Sequence, residues 1–317
     1  MTKKAMRTIL ATGAMLLASG TAALAADPAS CKAVRFGDVG WTDIAATTAL
    51  ASKTLEGLGY QPVTNISSVP VVYLGMKTKS LDVFLGNWMP TMESISQPMV
   101  DEGAVEVVRA NLEGAKYTLA VPSYAAAEGL KSFADIDKFK DKLDGKILGI
   151  EAGNDGNLVI DKMIKADAFG LGDFKLVESS EAGMLSEVRR ATRSKKWVVF
   201  LGWEPHPMNK NFELTYLTGG DEYFGPNLGG ATIYTNVRKG YMTECPNVGK
   251  FLQNLSFTLA MENAVMDDIL NNNKQADAAA VAYLKQNPQV LEAWLAGVTT
   301  LDGKEGLPAV KAKLGIK

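Results

Sequence analysis

Short apolar runs of strand type alternate with helical patterns over most of this chain, and that alternation restricts the fold more than any other feature. The run 33–36 stops at Gly37-Asp38-Val39-Gly40, after which Thr42 or Asp43 can cap a helix whose apolar positions Ile44, Ala51, Leu55 and Leu58 recur at helical spacing. Gly59 ends that helix. Strands at 61–63 and 81–85 flank a helix at 71–76. A second set follows Glu113-Gly114, with strands at 116–121, 146–150 and 196–201 and a helix at 157–165. Beyond Gly229-Gly230 the run 231–237 is a further strand, and the remainder is helical. Strands joined through helices predict an α/β fold with a mostly parallel sheet and crossover connections. At roughly 150 residues per domain, 317 residues make two. Crossings near Gly114 and Gly230 then divide the chain into a discontinuous lobe I, 26–113 plus 231–317, and a lobe II, 114–230.

The tryptophans follow that architecture. Three of the five come just after an apolar strand that closes on Phe and Gly: Trp41 after Phe36-Gly37, Trp88 after Phe84-Leu85-Gly86, and Trp203 after Phe200-Leu201-Gly202. Loops at the carboxyl ends of strands in open α/β sheets face the crevice where ligands bind, so three indole rings are offered at ligand-binding edges. Each ring taken singly has an alternative role as a lid over a local core, since Trp is usually mostly buried. The repetition argues against it. Trp197, opening a strand, and Trp294, on a helix with Leu291 and Leu295, read as packing residues. A pocket walled by aromatic faces suits a quaternary ammonium, which has no N–H to donate and offers methyl groups carrying diffuse positive charge. At about 0.5–2 kcal/mol per desolvated face, three or four rings supply roughly 2–8 kcal/mol before entropic costs.

Charge and the rare residues narrow the function from the other side. With 33 basic and 35 acidic side chains and a formal net charge of -2, no basic field exists to hold nucleic acid. The single histidine, His206, stands between two prolines with no neighbouring Ser or Cys motif, and no Gly-x-Ser-x-Gly elbow occurs, so no enzyme is expected. Lys3, Lys4 and Arg7, the apolar run 9–17 and Ala23-Leu24-Ala25 form a secretory signal over 1–25, which places the mature chain in a periplasm-like space. In that compartment Cys31 and Cys245 are expected to pair, tying together the two pieces of lobe I; two buried free thiols are the alternative. Two cysteines and one histidine give no metal-ligand spacing, and no cofactor is expected.

Gly40-Trp41-Thr42-Asp43, Leu85-Gly86-Asn87-Trp88-Met89-Pro90 and Leu201-Gly202-Trp203-Glu204-Pro205-His206-Pro207 together resemble motifs of the periplasmic substrate-binding proteins of ABC importers for quaternary amines. That is the glycine betaine and choline group, and the resemblance, strongest to its choline-binding members, covers essentially the whole mature chain. It implies two α/β lobes of the type II-like substrate-binding fold, with the ligand in the cleft between them. It also implies a monomer that captures choline, for uptake or osmoprotection, and hands it to a membrane permease. Carried over by motif, the aromatic box is Trp41, Trp88, Tyr117 and Trp203, Asp43 faces the cation, and Asn154 in Gly153-Asn154-Asp155-Gly156 bonds the alcohol end.

Residue chemistry bears on the ligand as well. No Lys or Arg adjoins Trp41, Trp88 or Trp203, and Lys116 should point to the opposite face of its strand from Tyr117. At about 5 Å and an effective dielectric near 20, Asp43 attracts a cation by about 3 kcal/mol and repels a carboxylate similarly. Choline is favoured over glycine betaine, with carnitine as another candidate and acetylcholine or betaine as weaker ligands. Asp43 as a helix N-cap and Asn154 as turn chemistry are the alternative structural readings. An exported choline-ester hydrolase would want the same box but lacks a visible nucleophile and base.

Overall fold

The computed structural model describes residues 27–316, so the secretory signal expected over 1–25 lies outside the described residues. The strands are β1 (Ala33–Asp38), β2 (Gln61–Ile66), β3 (Val83–Met89), β4 (Val105–Pro122), β5 (Lys146–Leu148), β6 (Lys175–Val177), β7 (Phe200–Glu204), β8 (Leu214–Tyr216) and β9 (Gly230–Arg238). They form one sheet in the order β2-β1-β3-β9-β4-β7-β5-β6, with β8 paired to β4. Among the helices are α1 (Thr42–Gly57), α2 (Val69–Lys77), α3 (Glu93–Asp101), α4 (Ser123–Ala127), α5 (Asp155–Lys165) and α6 (Glu181–Arg193).

The sheet is mixed rather than mostly parallel. β1 pairs in parallel with β2 and β3, and β5 with β6 and β7, as strand-helix-strand units require. β4 and β9, however, run antiparallel to each other and to their other neighbours. Two small parallel sheets are thus fused through a pair of long strands, one lobe on each side. β4 changes partners along its length, pairing with β9 from Val105 to Lys116 and with β7 and β8 from Lys116 to Pro122. Gly114 stands where the β4–β9 register shifts, with φ +78°, a conformation that costs glycine little. The segment 105–115 lacks a clean apolar alternation and was not expected as strand; its pairing to β9 makes it one. The strand expected at 196–201 begins only at Phe200.

Helix α1 lies at the centre of its lobe. Ile44, Thr48, Ala51 and Leu55 are buried on one stripe, and so are Thr47, Leu50 and Thr54 to one side of it. Helices Leu259–Leu270, Ala276–Gln286 and Gly306–Leu314 pack around it. Its many Ala and Thr residues allow that close approach on several sides, where helical spacing alone predicted one apolar stripe. The N-cap is Trp41, with no side-chain cap, rather than Thr42 or Asp43.

Cys31 and Cys245 are bonded, 214 positions apart, with Cα atoms 5.7 Å from each other. Beside them Asp27 accepts from the backbone N–H groups of Asn247 and Val248, at 2.7 and 3.0 Å, at the start of helix Pro246–Asn254. The first described residues are thereby clamped to the C-terminal segment. No described helix is long and apolar enough to cross a membrane. Replacing Cys245 by Ser is expected to cost about 2–5 kcal/mol of stability, the usual worth of a native bridge. Thermal melts should show this loss, while ligand affinity should stay within about threefold, because the bridge lies at the far end of β1 from Trp41.

Candidate functional site

The carboxyl ends of β1, β3, β5 and β7 converge between the lobes. Trp41 follows β1, Trp88 and Trp203 are the penultimate residues of β3 and β7, and Ile150 follows β5. With Asp43 from the first turn of α1 and Tyr117 from the second half of β4, they line one cavity of about 240 Å³. Trp88 and Trp203 were expected in loops. They are strand residues because β3 and β7 continue to pair beyond their glycines, Trp88 opposite Ile233 and Trp203 opposite Tyr117.

Tyr117 is the hub of the aromatic cluster. Its ring lies 5.8 Å from Trp88 and 6.1 Å from Trp203, edge-on to both, with Phe224 behind it at 6.2 Å. Such edge-to-face packing fixes ring tilt. The Tyr117 hydroxyl rests on the start of α5, where a Cβ on Gly156 would lie 2.0 Å from it, so only glycine fits there. The indole N–H of Trp41 donates to Glu151 Oε1 at 2.8 Å and that of Trp88 to Asp43 Oδ2 at 3.1 Å. Trp203 packs edge-on against the His206 ring at 4.9 Å. Lys116 does point away, pairing with Glu204 at 2.9 Å.

Asn154 is fully buried but is not on the cavity wall. It caps α5, its Oδ1 accepting from the Asn157 N–H at 2.9 Å while its amide donates to the Glu151 carbonyl. The Tyr117 hydroxyl lies 3.4 Å from the same Oδ1. Sequence reasoning missed Ile150, Glu151, Glu181 and Phe224. Ile150 and Glu151 obey the same strand-end rule as the tryptophans and were within reach of it. Glu181 and Phe224 carry no comparable sequence signal. His206, which showed no partner in the sequence, faces Glu181 Oε1 at 3.1 Å.

The site is acidic and buried. Asp43 is 2% exposed and its Oδ1 has no hydrogen-bond partner. Burial, reinforced by the nearby Glu181 charge, pushes its carboxyl up to about 8. Burial likewise lifts Asp155 to about 6 and raises Glu151. It drives Glu262, on helix Leu259–Leu270, well above the usual carboxylate range, with Asp43 adding to the shift. Among the described residues no Lys or Arg pairs with any of these carboxyls; His206 against Glu181 is the one basic contact. No described group of three or more His, Cys, Asp or Glu could hold a metal ion.

A cavity set between strand ends of two α/β units, walled by aromatic rings and short of positive charge, defines a binding site for a small ligand. Residues 32–286 match the model of the substrate binding domain of ABC-type glycine betaine transport systems, and the chain belongs to that family. It is a transporter's substrate-binding protein, not an enzyme. A solved ABC-transporter choline binding protein in complex with choline is 60% identical, with a TM-score of 0.90 over 91% of this chain and all of that one. An unliganded semi-closed choline binding protein, also 60% identical, gives 0.84 over 90% of this chain and all of that one. A glycine betaine/carnitine transport binding protein of Listeria monocytogenes is 31% identical over 159 residues, 50% of this chain and 52% of that relative.

The electrostatics make a pH prediction. Burial holds Asp43 neutral below about 8. A cation favours its ionised form, so binding releases a proton wherever the empty site still holds one. Affinity for a quaternary cation should therefore rise from pH 6 to about 8, by up to about tenfold per unit, and then level off. Asp43→Asn should lower the affinity and flatten the profile. Calorimetric titrations across that range check both.

Proposed function

We propose that this protein captures choline in the periplasm and presents the closed complex to the permease of an ABC importer. The observation that carries the reading is the cavity itself, four aromatic side chains and Asp43 with no basic side chain on the wall. Trp41, Trp88, Tyr117 and Trp203 enclose the trimethylammonium group, and Asp43 supplies the countercharge. Asn154 Oδ1 accepts from the Asn157 N–H and, at 3.4 Å, from the Tyr117 hydroxyl, so a bond to the alcohol end takes the place of the Tyr117 one. The 60% identity to a choline-bound receptor supports the same ligand, and the higher TM-score to that complex than to a semi-closed form is consistent with a closed shape.

In this reading 26–113 plus 231–317 form lobe I and 114–230 form lobe II, with β4 and β9 as the connection that flexes. The secretory signal over 1–25 is removed on export and the mature protein acts as a monomer. Glycine betaine and acetylcholine are weaker ligands. Betaine brings a carboxylate into a cavity with Asp43 on its wall and Glu151 and Asp155 close behind it, and among the described residues no Lys or Arg pairs with these three.

Calorimetry with choline and glycine betaine tests the assignment. Choline should bind with micromolar or better affinity and betaine at least about tenfold more weakly, the difference of one unfavourable charge contact in a partly screened site. No heat with choline, or tighter betaine, rejects it. Trp203→Ala should weaken choline binding by about tenfold or more, the worth of one desolvated face. Trp294→Phe, in the lobe I core, should leave affinity within about threefold.

A further inference from the structure

Glu181 has no task in the reading above. It opens α6, is 4% exposed, and does not line the cavity. Its carboxylate instead reaches a residue 139 positions earlier in the chain: Oε2 accepts from the Thr42 backbone N–H at 2.9 Å, and Oε1 accepts from the Thr42 hydroxyl. Thr42 is the first residue of α1, whose N-cap Trp41 brings no side-chain acceptor. First-turn N–H groups find no partner within their own helix. The cap of the helix that carries Asp43 thus comes from the opposite lobe.

Glu181 is itself held in place. The Met208 N–H donates to His206 Nδ1 at 2.9 Å, which leaves Nε2 as the donating nitrogen, 3.1 Å from Glu181 Oε1. The same imidazole packs edge-on against Trp203. One buried run of contacts therefore leads from Trp203 in lobe II through His206 and Glu181 to Thr42 in lobe I, between the cavity residues Trp41 and Asp43. It joins a box wall on one side of the cleft to the helix start on the other.

We propose that Glu181 is a positioning residue for ligand capture, a cap supplied across the cleft that docks the start of α1 in the closed form and sets how long the ligand is held. The proposal rests on the reading of the cavity as a cation receptor. Opening must break both bonds to Thr42 and return a carboxylate and a helix N–H to water, so the cap acts on escape more than on entry. The carboxylate uses both oxygens as acceptors. A glutamine at this position would turn its NH2 toward either the Thr42 N–H or the His206 N–H, so Glu181→Gln breaks the run at nearly constant volume, losing either the cap or the bond that holds it in place.

The test is stopped-flow tryptophan fluorescence of the mature protein with choline and, separately, tetramethylammonium, for wild type, Glu181→Gln, Thr42→Val and Thr42→Ser. Melts of the same variants without ligand accompany it. Glu181→Gln and Thr42→Val should raise the dissociation rate about tenfold or more, with association within about threefold. Thr42→Ser, which keeps the hydroxyl, should return the dissociation rate to within about threefold of wild type. Dissociation rates unchanged in Glu181→Gln and Thr42→Val, or a melting loss without a rate change, overturn the proposal. So does Thr42→Ser behaving as Thr42→Val. If wild type binds neither cation, the receptor reading falls instead, and the cap with it.

Discussion

A carboxyl group buried without a basic partner is the constraint around which this protein is organised. Taking an ionised carboxylate out of water costs several kcal/mol unless a charge or hydrogen bonds repay it. Asp43 has one indole N–H on Oδ2 and nothing on Oδ1. Glu181 lies close enough to raise its carboxyl further. Burial makes the group hold its proton up to about pH 8. A quaternary cation supplies the missing charge without needing hydrogen bonds of its own, and the surrounding rings receive its methyl groups at low desolvation cost.

The fold makes that cavity exist only between lobes. Parallel units place strand ends at the cleft, and the antiparallel pair β4 and β9 joins the two units into one sheet. Trp41, Asp43 and Trp88 come from one side, Ile150 and Trp203 from the other, and Tyr117 from the second half of the connecting strand β4. Carboxylates that follow β5 and β6 reach across to residues that follow β1 and β3: Glu151 takes the Trp41 N–H, Asp155 the Thr91 hydroxyl and Glu181 the Thr42 N–H. A ligand that touches both sides favours the closed form by its extra affinity for it. Each carboxylate brought into the cleft adds repulsion that protonation or a cation relieves.

Much of this was legible in the residues, and the failures have physical causes. Alternating strands and helices gave the two α/β units, and the Phe-Gly-Trp grammar located three box walls, because strand ends face the crevice whatever the exact loop length. The parallel sheet was an overextension. Crossover helices dictate parallel pairing within a unit but say nothing of β4 and β9, whose pairing is long-range. Helical spacing marked one stripe on α1 and missed its burial on several sides, since Ala and Thr do not announce a buried face. Tyr117 and Asn154 were reached only through family resemblance. Glu181 had no signal at all, because its meaning arises when a helix start from the opposite lobe comes to rest on it.

The central claim is that charge, rather than shape, fills this cavity. The most direct measurement compares choline with 3,3-dimethyl-1-butanol, which replaces the ammonium nitrogen by carbon and keeps nearly the same size and the same alcohol. If ring faces and Asp43 act on a positive charge, the neutral isostere should bind at least about a hundredfold more weakly, the sum of several cation–π contacts and one ionic attraction. Affinities within a few-fold of each other would contradict the account and leave only a hydrophobic box of the right size.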